Sequence, residues 1–419
     1  MDSVRWQNAF SLPTGVTEGQ AGQEPDNTMQ QLTLSGSYLF GQSTLASALL
    51  SYGRMEQNDD FLPYTINSSL SPSALPRTSL DGEVDIISVN LGVNSRLTNS
   101  FDIEAQYLQN EQDNNTPQAT YNYVIADTTD TSVVPAADAE TNLPYGFRQR
   151  EILVEGRYRL KKPHKFGVGY KYETYDRTFQ EVETTEENSL WGTYRNSVSK
   201  SWNWFLRLEA KGRTGDEYTP VSEINPIQNP LLRKYNLADR DRSKAVFSVS
   251  YVPQTKWQLS FFADYANDDY ANSVVGLRES EQTNYSLDFQ YRFTGDVTLN
   301  IDYTVTSIKS NQAGSSSYRE PNLSAEPDWF ADNDDQINVA HLGLIYHIIQ
   351  NKFKLGFDYS YADSEGDISV STGDPYPTLT STRQTFKIYG DYNLNERSIL
   401  HVQYRYEDYS ESNWAIDGV

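Results

Sequence analysis

Cysteine is absent from these 419 residues. Its absence excludes disulfides, thiolate metal sites and covalent c-type haem attachment within the chain, while an oxidising compartment stays open. Positive charge is in deficit. The 34 Lys and Arg stand against 57 Asp and Glu, for a net charge of -23 and an isoelectric point near 4.5. Nucleic-acid binding needs a basic footprint, so it is excluded. A cationic partner is compatible with this balance, but solvated acidic loops are the plainer reading. No run of about 18 apolar residues occurs, so no transmembrane helix is encoded. Met1 runs straight into Asp2-Ser3-Val4-Arg5-Trp6, without a basic then apolar leader. For a protein that must cross an inner membrane, this suggests a processed or partial chain. Motifs of hydrolases, zinc proteases and P-loop enzymes are also missing.

What is abundant is tyrosine, at 30 positions, and most of it falls in one pattern. In 285–293, Tyr285, Leu287, Phe289, Tyr291 and Phe293 alternate with Ser286, Asp288, Gln290 and Arg292. Successive side chains of a strand point to opposite faces, so the segment has one greasy and one wet wall. Leu299, Ile301, Tyr303 and Val305 repeat the pattern against Asn300, Asp302, Thr304 and Thr306, after a tight turn at Thr294-Gly295-Asp296. Leu355 to Tyr361, Leu400 to Tyr406 and Trp204 to Leu208 follow the same rule. A strand that faces lipid on one side only is how a chain of mean hydropathy -0.66 can lie in a membrane.

Periodicity alone also fits a soluble sandwich; the connections decide. About sixteen strands pair as 28–40 with 43–59, 84–97 with 101–114, 147–160 with 165–179, 189–199 with 203–218, 243–253 with 256–271, 281–294 with 296–310, 335–349 with 353–368, and 382–394 with 397–410. Turns inside each pair span a few residues, such as Gly41-Gln42. Connections between pairs are mostly long and polar, such as 60–81, 116–146, 219–242 and 311–334. Short periplasmic turns alternating with long extracellular loops are a rule of outer-membrane barrels. The predicted fold is therefore all-β: a large antiparallel transmembrane β-barrel forming one domain over 1–419. Trp202, Trp204, Trp257, Phe101, Phe166 and Phe353 flank short turns, while Tyr172, Tyr265 and Tyr406 lie toward the far ends. Both sets sit where interfacial aromatic belts are expected. Residues 4–12 read as the remnant of a strand preceding 28–40, and the chain stops at 414–419 in what should be an external loop. The expectation is a barrel missing strands at both ends, with over 20 in the full-length protein.

Candidate chemistry is sparse. His341 and His347 share a face but are too far apart to chelate one ion, and His164 and His401 lie elsewhere, so polar roles are expected for all four. Asp332-Asn333-Asp334-Asp335 offers hard oxygen ligands for Ca²⁺ at a loop base, though the spacing fits no defined site and a solvated turn explains it better. The loop 219–242 is dense in charge and contains Leu231, Leu232 and Leu237. It reads as folded, with Arg233, Lys234, Tyr235, Asn236, Asp239, Arg240 and Arg242 available for partner contact or for one another. Arg292 and Arg405 are candidate contacts on the wet wall. No catalytic, cofactor or metal residue is assigned.

The run Leu231-Leu232-Arg233-Lys234-Tyr235-Asn236-Leu237-Ala238-Asp239-Arg240-Asp241-Arg242 closely resembles a segment of the MtrB/PioB family of decahaem-associated outer-membrane proteins. Thr184 to Asn188, Asp268-Asp269-Tyr270 with Val275 to Ser280, Gln312 to Ser316, Asn351 to Tyr359 and Ala415 to Gly418 are similar in register. The resemblance implies a non-enzymatic barrel acting as an insulating sheath. A periplasmic multihaem (decahaem) c-type cytochrome would occupy the lumen, an outer-surface multihaem cytochrome would dock outside, and outer-membrane lipid would surround the wall. Haem would be carried by those partners and none by this chain. Arg157, Arg159, Arg207, Arg292, Arg405, Glu155, Glu209 and Glu407 would then form a polar wall suited to a charged soluble protein. An N-terminal cysteine pair carried by many members is missing here. A diffusion porin or solute channel is the alternative, and an adhesin using loops 116–146 and 219–242 is a third reading.

Overall fold

The computed structural model describes residues 3–7, 18–64, 66, 74–122, 139–161, 163–197, 199, 201–220, 229–315, 320–322, 328–372 and 376–413. Sixteen long antiparallel strands dominate it. They are β1 Thr28–Phe40, β2 Thr44–Gln57, β3 Gly82–Thr98, β4 Phe101–Asn114, β5 Phe147–Lys161, β6 His164–Arg177, β7 Thr184–Asn196 and β8 Trp202–Gly215. The series continues with β9 Arg240–Gln254, β10 Trp257–Asp269, β11 Val275–Arg292, β12 Val297–Gly314, β13 Trp329–Ile349, β14 Phe353–Val370, β15 Leu379–Asn395 and β16 Ser398–Ser412. Each long strand pairs with its sequence neighbour, so the sheet is a pure meander. The sixteen strands expected from the sequence are these sixteen. Among the described residues β1 pairs only with β2 and β16 only with β15. The sheet is therefore not closed, and every residue of both edge strands is exposed.

Turns within each pair, such as 99–100, 255–256 and 396–397, hold two to five residues. Gly41 (φ 63°) and Asn351 (φ 57°) supply the left-handed backbone that two of them need. At the other end the connections include 58–81, 115–146 and 216–239. The two-beat rhythm therefore holds, with two short exceptions at 178–183 and 270–274.

Register carries the alternation across the whole sheet. On one face Trp202 opposes Tyr251, Trp204 opposes Val249 and Leu206 opposes Phe247. Val249 then opposes Phe261, and Phe261 opposes Leu287. This apolar wall exposes its large side chains, Tyr285, Leu287 and Val402 among them. In water that would be costly; in lipid it is the favoured state. Near the short turns an aromatic girdle of the expected kind runs from β8 to β11: Trp202 stacks on Tyr251 at 4.1 Å, Tyr251 meets Trp257 edge-on at 5.3 Å, and Tyr291 meets Phe293 at 4.6 Å. Belt and cross-strand packing are here the same residues.

The strands run past the apolar band. β13 has 21 residues, where a tilted span needs only about 9–11. Toward the long loops the outward face turns polar and carries ion pairs: Arg54 with Asp85 at 2.9 Å, Arg150 with Asp176 at 2.6 Å, Lys309 with Asp334 at 3.1 Å, and Arg148 with Glu111. Two expectations are corrected here. The run Asp332-Asn333-Asp334-Asp335 lies inside β13, not at a loop base, and its side chains alternate between faces. Ser3–Gln7 pairs with Glu18–Gly22 in a separate two-stranded sheet, and not with β1. Residues 8–12 and 414–419 lie outside the described residues.

On the polar wall, aromatic rings cover cross-strand glycines. Trp191 lies over Gly169, Trp329 over Gly314 and Tyr389 over Gly356. A β-carbon at any of the three would be driven into the ring. Gly169→Ala should therefore destabilise the sheet by about 1–3 kcal/mol through overpacking. Gly192→Ala, which meets nothing within 4 Å, should stay within about 0.5 kcal/mol. Urea midpoints of the two variants in detergent check this, and equal midpoints would refute it.

Candidate functional site

Two features stand out: the polar wall and the folded loop at its long-loop end. Polar-wall charges are placed by strand alternation, and most are paired either with a charge two positions along the same strand or, by register, with one on a neighbouring strand. Arg157 reaches Glu104 at 2.7 Å, Arg159 reaches Asp102 at 2.8 Å, and Lys171 bridges Glu151 at 3.1 Å and Glu173 at 2.7 Å. Glu209 lies between Arg207 and Lys211, and Lys244 pairs with Asp264 at 2.9 Å. Farther along, His341 sits between Asp302 at 2.6 Å and Asp358 at 3.6 Å, while Lys387 holds Asp358 at 2.7 Å. Asp391 takes Lys354 at 2.7 Å and His401 at 2.5 Å. Uncharged side chains of the wall also pair, with Ser88 to Asn110, Gln106 to Asn90 and Gln290 to Asn300 hydrogen bonds. The wall is thus a wet, largely neutralised surface. Among the described residues no group of three or more His, Asp or Glu side chains could hold a metal ion.

Within the loop, residues 229–239 are compact and pack over the ends of β7 to β11. Leu232–Arg233 runs parallel to Val275–Gly276. Gly276 (φ 109°) allows that approach, because a β-carbon there would lie 2.6 Å from the Arg233 carbonyl. Leu237 and Ala238 are buried together with Val182, Tyr270 and Val275. From β8, Arg213 donates to the carbonyls of Ala238 at 2.9 Å and Tyr235 at 2.5 Å, a clasp on the loop's last turn. Lys234 donates to Glu181, which is 3% exposed, so the buried carboxylate has its counter-charge. Arg233 lies over the Tyr218 ring at 4.5 Å. Burial, with the nearby Glu181 charge, pushes the Tyr218 phenol up to about 12. Burial beside Asp268 raises Tyr270 likewise.

The predicted contact residues divide accordingly. Arg233, Lys234, Asp239, Arg240 and Arg242 are used within the chain. Asp239 accepts from the Gly215 amide and Asn272, both at 2.8 Å; Arg240 meets Glu187 at 2.7 Å; Arg242 meets Asp268 at 3.5 Å. Tyr235 and Asn236 are the two that point outward. Arg292 lies on the polar wall at the short-turn end, far along the chain from this loop and without an ion pair among the described residues. Arg405 lies on edge strand β16 and shares Glu407 with Arg383. Sequence reading brought out the charges of this loop but missed Arg213 and Glu181, the groups that hold it. Leu237→Ala should leave a cavity costing about 2–5 kcal/mol locally. Limited proteolysis of the variant should then cut within the loop several-fold faster than in the parent, with the barrel's heat-modifiable migration unchanged. Equal cutting rates would show that the loop is not held by this core.

A family model described as outer membrane beta-barrel porin, MtrB/PioB, matches residues 1–419. The chain is 31% identical to outer membrane protein MtrB of Shewanella baltica (strain OS185) over 421 residues, covering 99% of this chain and 58% of that protein. It therefore spans little more than half the length of that curated relative. Among solved structures, the FrpB iron transporter from Neisseria meningitidis (F3-3 variant) is similar with a TM-score of 0.50 at 7% identity, over 92% of this chain and 60% of the other. The alcaligin receptor FauA from Bordetella pertussis gives 0.45 at 8% identity, over 92% and 68%. At these identities the FrpB likeness speaks to a large outer-membrane barrel fold alone.

Proposed function

This chain belongs to the MtrB/PioB family of outer-membrane β-barrel porins, and from that premise we propose that it is a sheath for electron transfer across the outer membrane of a Gram-negative bacterium. Its strands cross the membrane many times. Their apolar wall faces lipid, and their polar wall lines a lumen that seats a periplasmic multihaem c-type cytochrome. An outer-surface multihaem cytochrome docks at the long-loop end. The chain itself carries no haem, in keeping with its lack of cysteine, and it catalyses nothing. The family is one of porin-like barrels, not enzymes.

The observation that carries this reading is the polar wall. Paired Arg, Lys, Asp and Glu side chains spread over β4 to β10 make a hydrated surface of both signs, the kind against which a folded charged protein can lie. Hydrocarbon outside and protein inside would keep water and ions from a redox chain. The barrel's contribution is then positional: it holds the carriers in line and insulated while contributing no redox centre. A diffusion porin is the competing reading, and the same wall would serve it.

The test is a haem stain and visible spectrum on the full-length protein purified from its native outer membrane in mild detergent. Stoichiometric c-type haem in a co-purifying band is expected. A colourless barrel that conducts ions in planar bilayers would establish the porin instead. Charge reversal by Arg292→Glu with Arg405→Glu should lower the haem retained per barrel, and unchanged retention would count against docking on this wall.

A further inference from the structure

At the short-turn end of the polar wall, register sets Arg159, Lys165 and Arg195 directly beside one another across β5, β6 and β7. Like charges facing each other across strands destabilise a sheet, so this row works against folding unless something answers it. The adjacent row reads Arg157, Gly167, Thr193, Arg207. Two small residues between two guanidinium groups leave a hollow of about 400 Å³, lined by five cations against the carboxylates of Asp102 and Glu155.

Three of the five cations are answered within the chain: Arg159 by Asp102, Arg157 by Glu104 and Arg207 by Glu209. Lys165 and Arg195 have no carboxylate within ion-pair distance among the described residues. The Arg195 guanidinium carbon instead lies over the Phe205 ring, 4.7 Å from its centroid. A second hollow of about 450 Å³ adjoins the first. It shares Lys165, Arg195 and Phe205 and continues over Ser248, Ser250 and Ser260. The two unanswered cations therefore stand between two recesses on one continuous polar surface.

We infer that this row is a carboxylate-binding subsite, and that its occupant is a pair of acidic groups on the surface of the haem protein seated against the wall. The inference rests on the sheath reading above. A planar guanidinium fork packed over an aromatic ring suits a carboxylate in two-point contact, and the neighbouring ammonium adds a point charge. The breadth of the paired hollows suits a protein surface better than a small anion. The site lies at the short-turn end, periplasmic by the barrel rule, where a soluble periplasmic protein would first meet the wall.

The experiment uses the full-length protein in its native complex. The double variant Lys165→Gln with Arg195→Gln is compared with the parent for haem retained per barrel, from about 0.1 M to about 0.5 M salt, a range over which exposed charge pairs are progressively screened. The variant should retain at least about tenfold less haem at the lower end, since two charge-assisted contacts are lost, and the difference should narrow toward the upper end as the parent's contacts are screened. Arg195→Lys should recover part of the retention. Because the variant removes an unanswered like-charge row, its barrel should unfold at the same urea concentration as the parent or a higher one. Equal retention and equal salt response in variant and parent would overturn the subsite while leaving the sheath intact. A fall in retention accompanied by a less stable barrel would assign the row a structural role and also overturn it. A parent complex without haem would remove the sheath reading and the subsite together.

Discussion

Backbone hydrogen bonding in hydrocarbon is the constraint on which the rest of this structure depends. No water is present there to satisfy an N–H or C=O, and each unpaired group costs several kcal/mol, so a spanning chain must pair its backbone internally. The sixteen-strand antiparallel meander does this along every interior strand. Consecutive pairing also frees the side chains for two different solvents. One wall can be as greasy as lipid requires and the other as polar as water or a protein partner requires. Among the described residues the edges β1 and β16 are where the rule is unmet, and there both faces are exposed along the whole strand.

The second consequence concerns charge. A polar wall built by alternation collects ionisable groups at every second position, and leaving them unpaired in a confined space would be costly. Register resolves most of this by setting opposite signs across neighbouring strands, as with Arg157 and Glu104 or Lys244 and Asp264. Partly exposed pairs like these add little stability individually; their effect is to keep the wall near neutrality and wet. Where register instead sets like charges together, as at Arg159, Lys165 and Arg195, folding gains nothing from the arrangement.

The loop at 229–239 shows how a barrel stabilises structure outside the membrane. Its core is small, formed by Leu237, Ala238, Val182 and Tyr270, and would be insufficient alone. Long strands supply the remainder: β8 extends far enough for Arg213 to clasp the loop backbone, and β11 begins early enough for Val275 and Gly276 to pair with it. Strand length beyond the membrane thus serves as scaffold for the outer surface.

The strand count, the two walls, the rhythm of short and long connections and the family were all legible in the sequence. Each is a local or repeating property: alternation at i and i+2, turn residues, and a twelve-residue segment at 231–242. Strand ends were read too short where polarity occupies both faces, as at Trp329 to Asp334, because alternation vanishes once a strand leaves the lipid. Residues 4–12 resemble a barrel strand in sequence, yet a short apolar alternation does not say which strand it will join, and Ser3–Gln7 pairs with Glu18–Gly22. Tertiary structure alone decided which charges answer one another between elements, since those partners lie far apart in the chain: Glu104 and Arg157 are 53 positions apart, as are Glu181 and Lys234. Pairing at that range is set by register across the sheet, and register is a property of the assembled sheet that no local window of sequence contains.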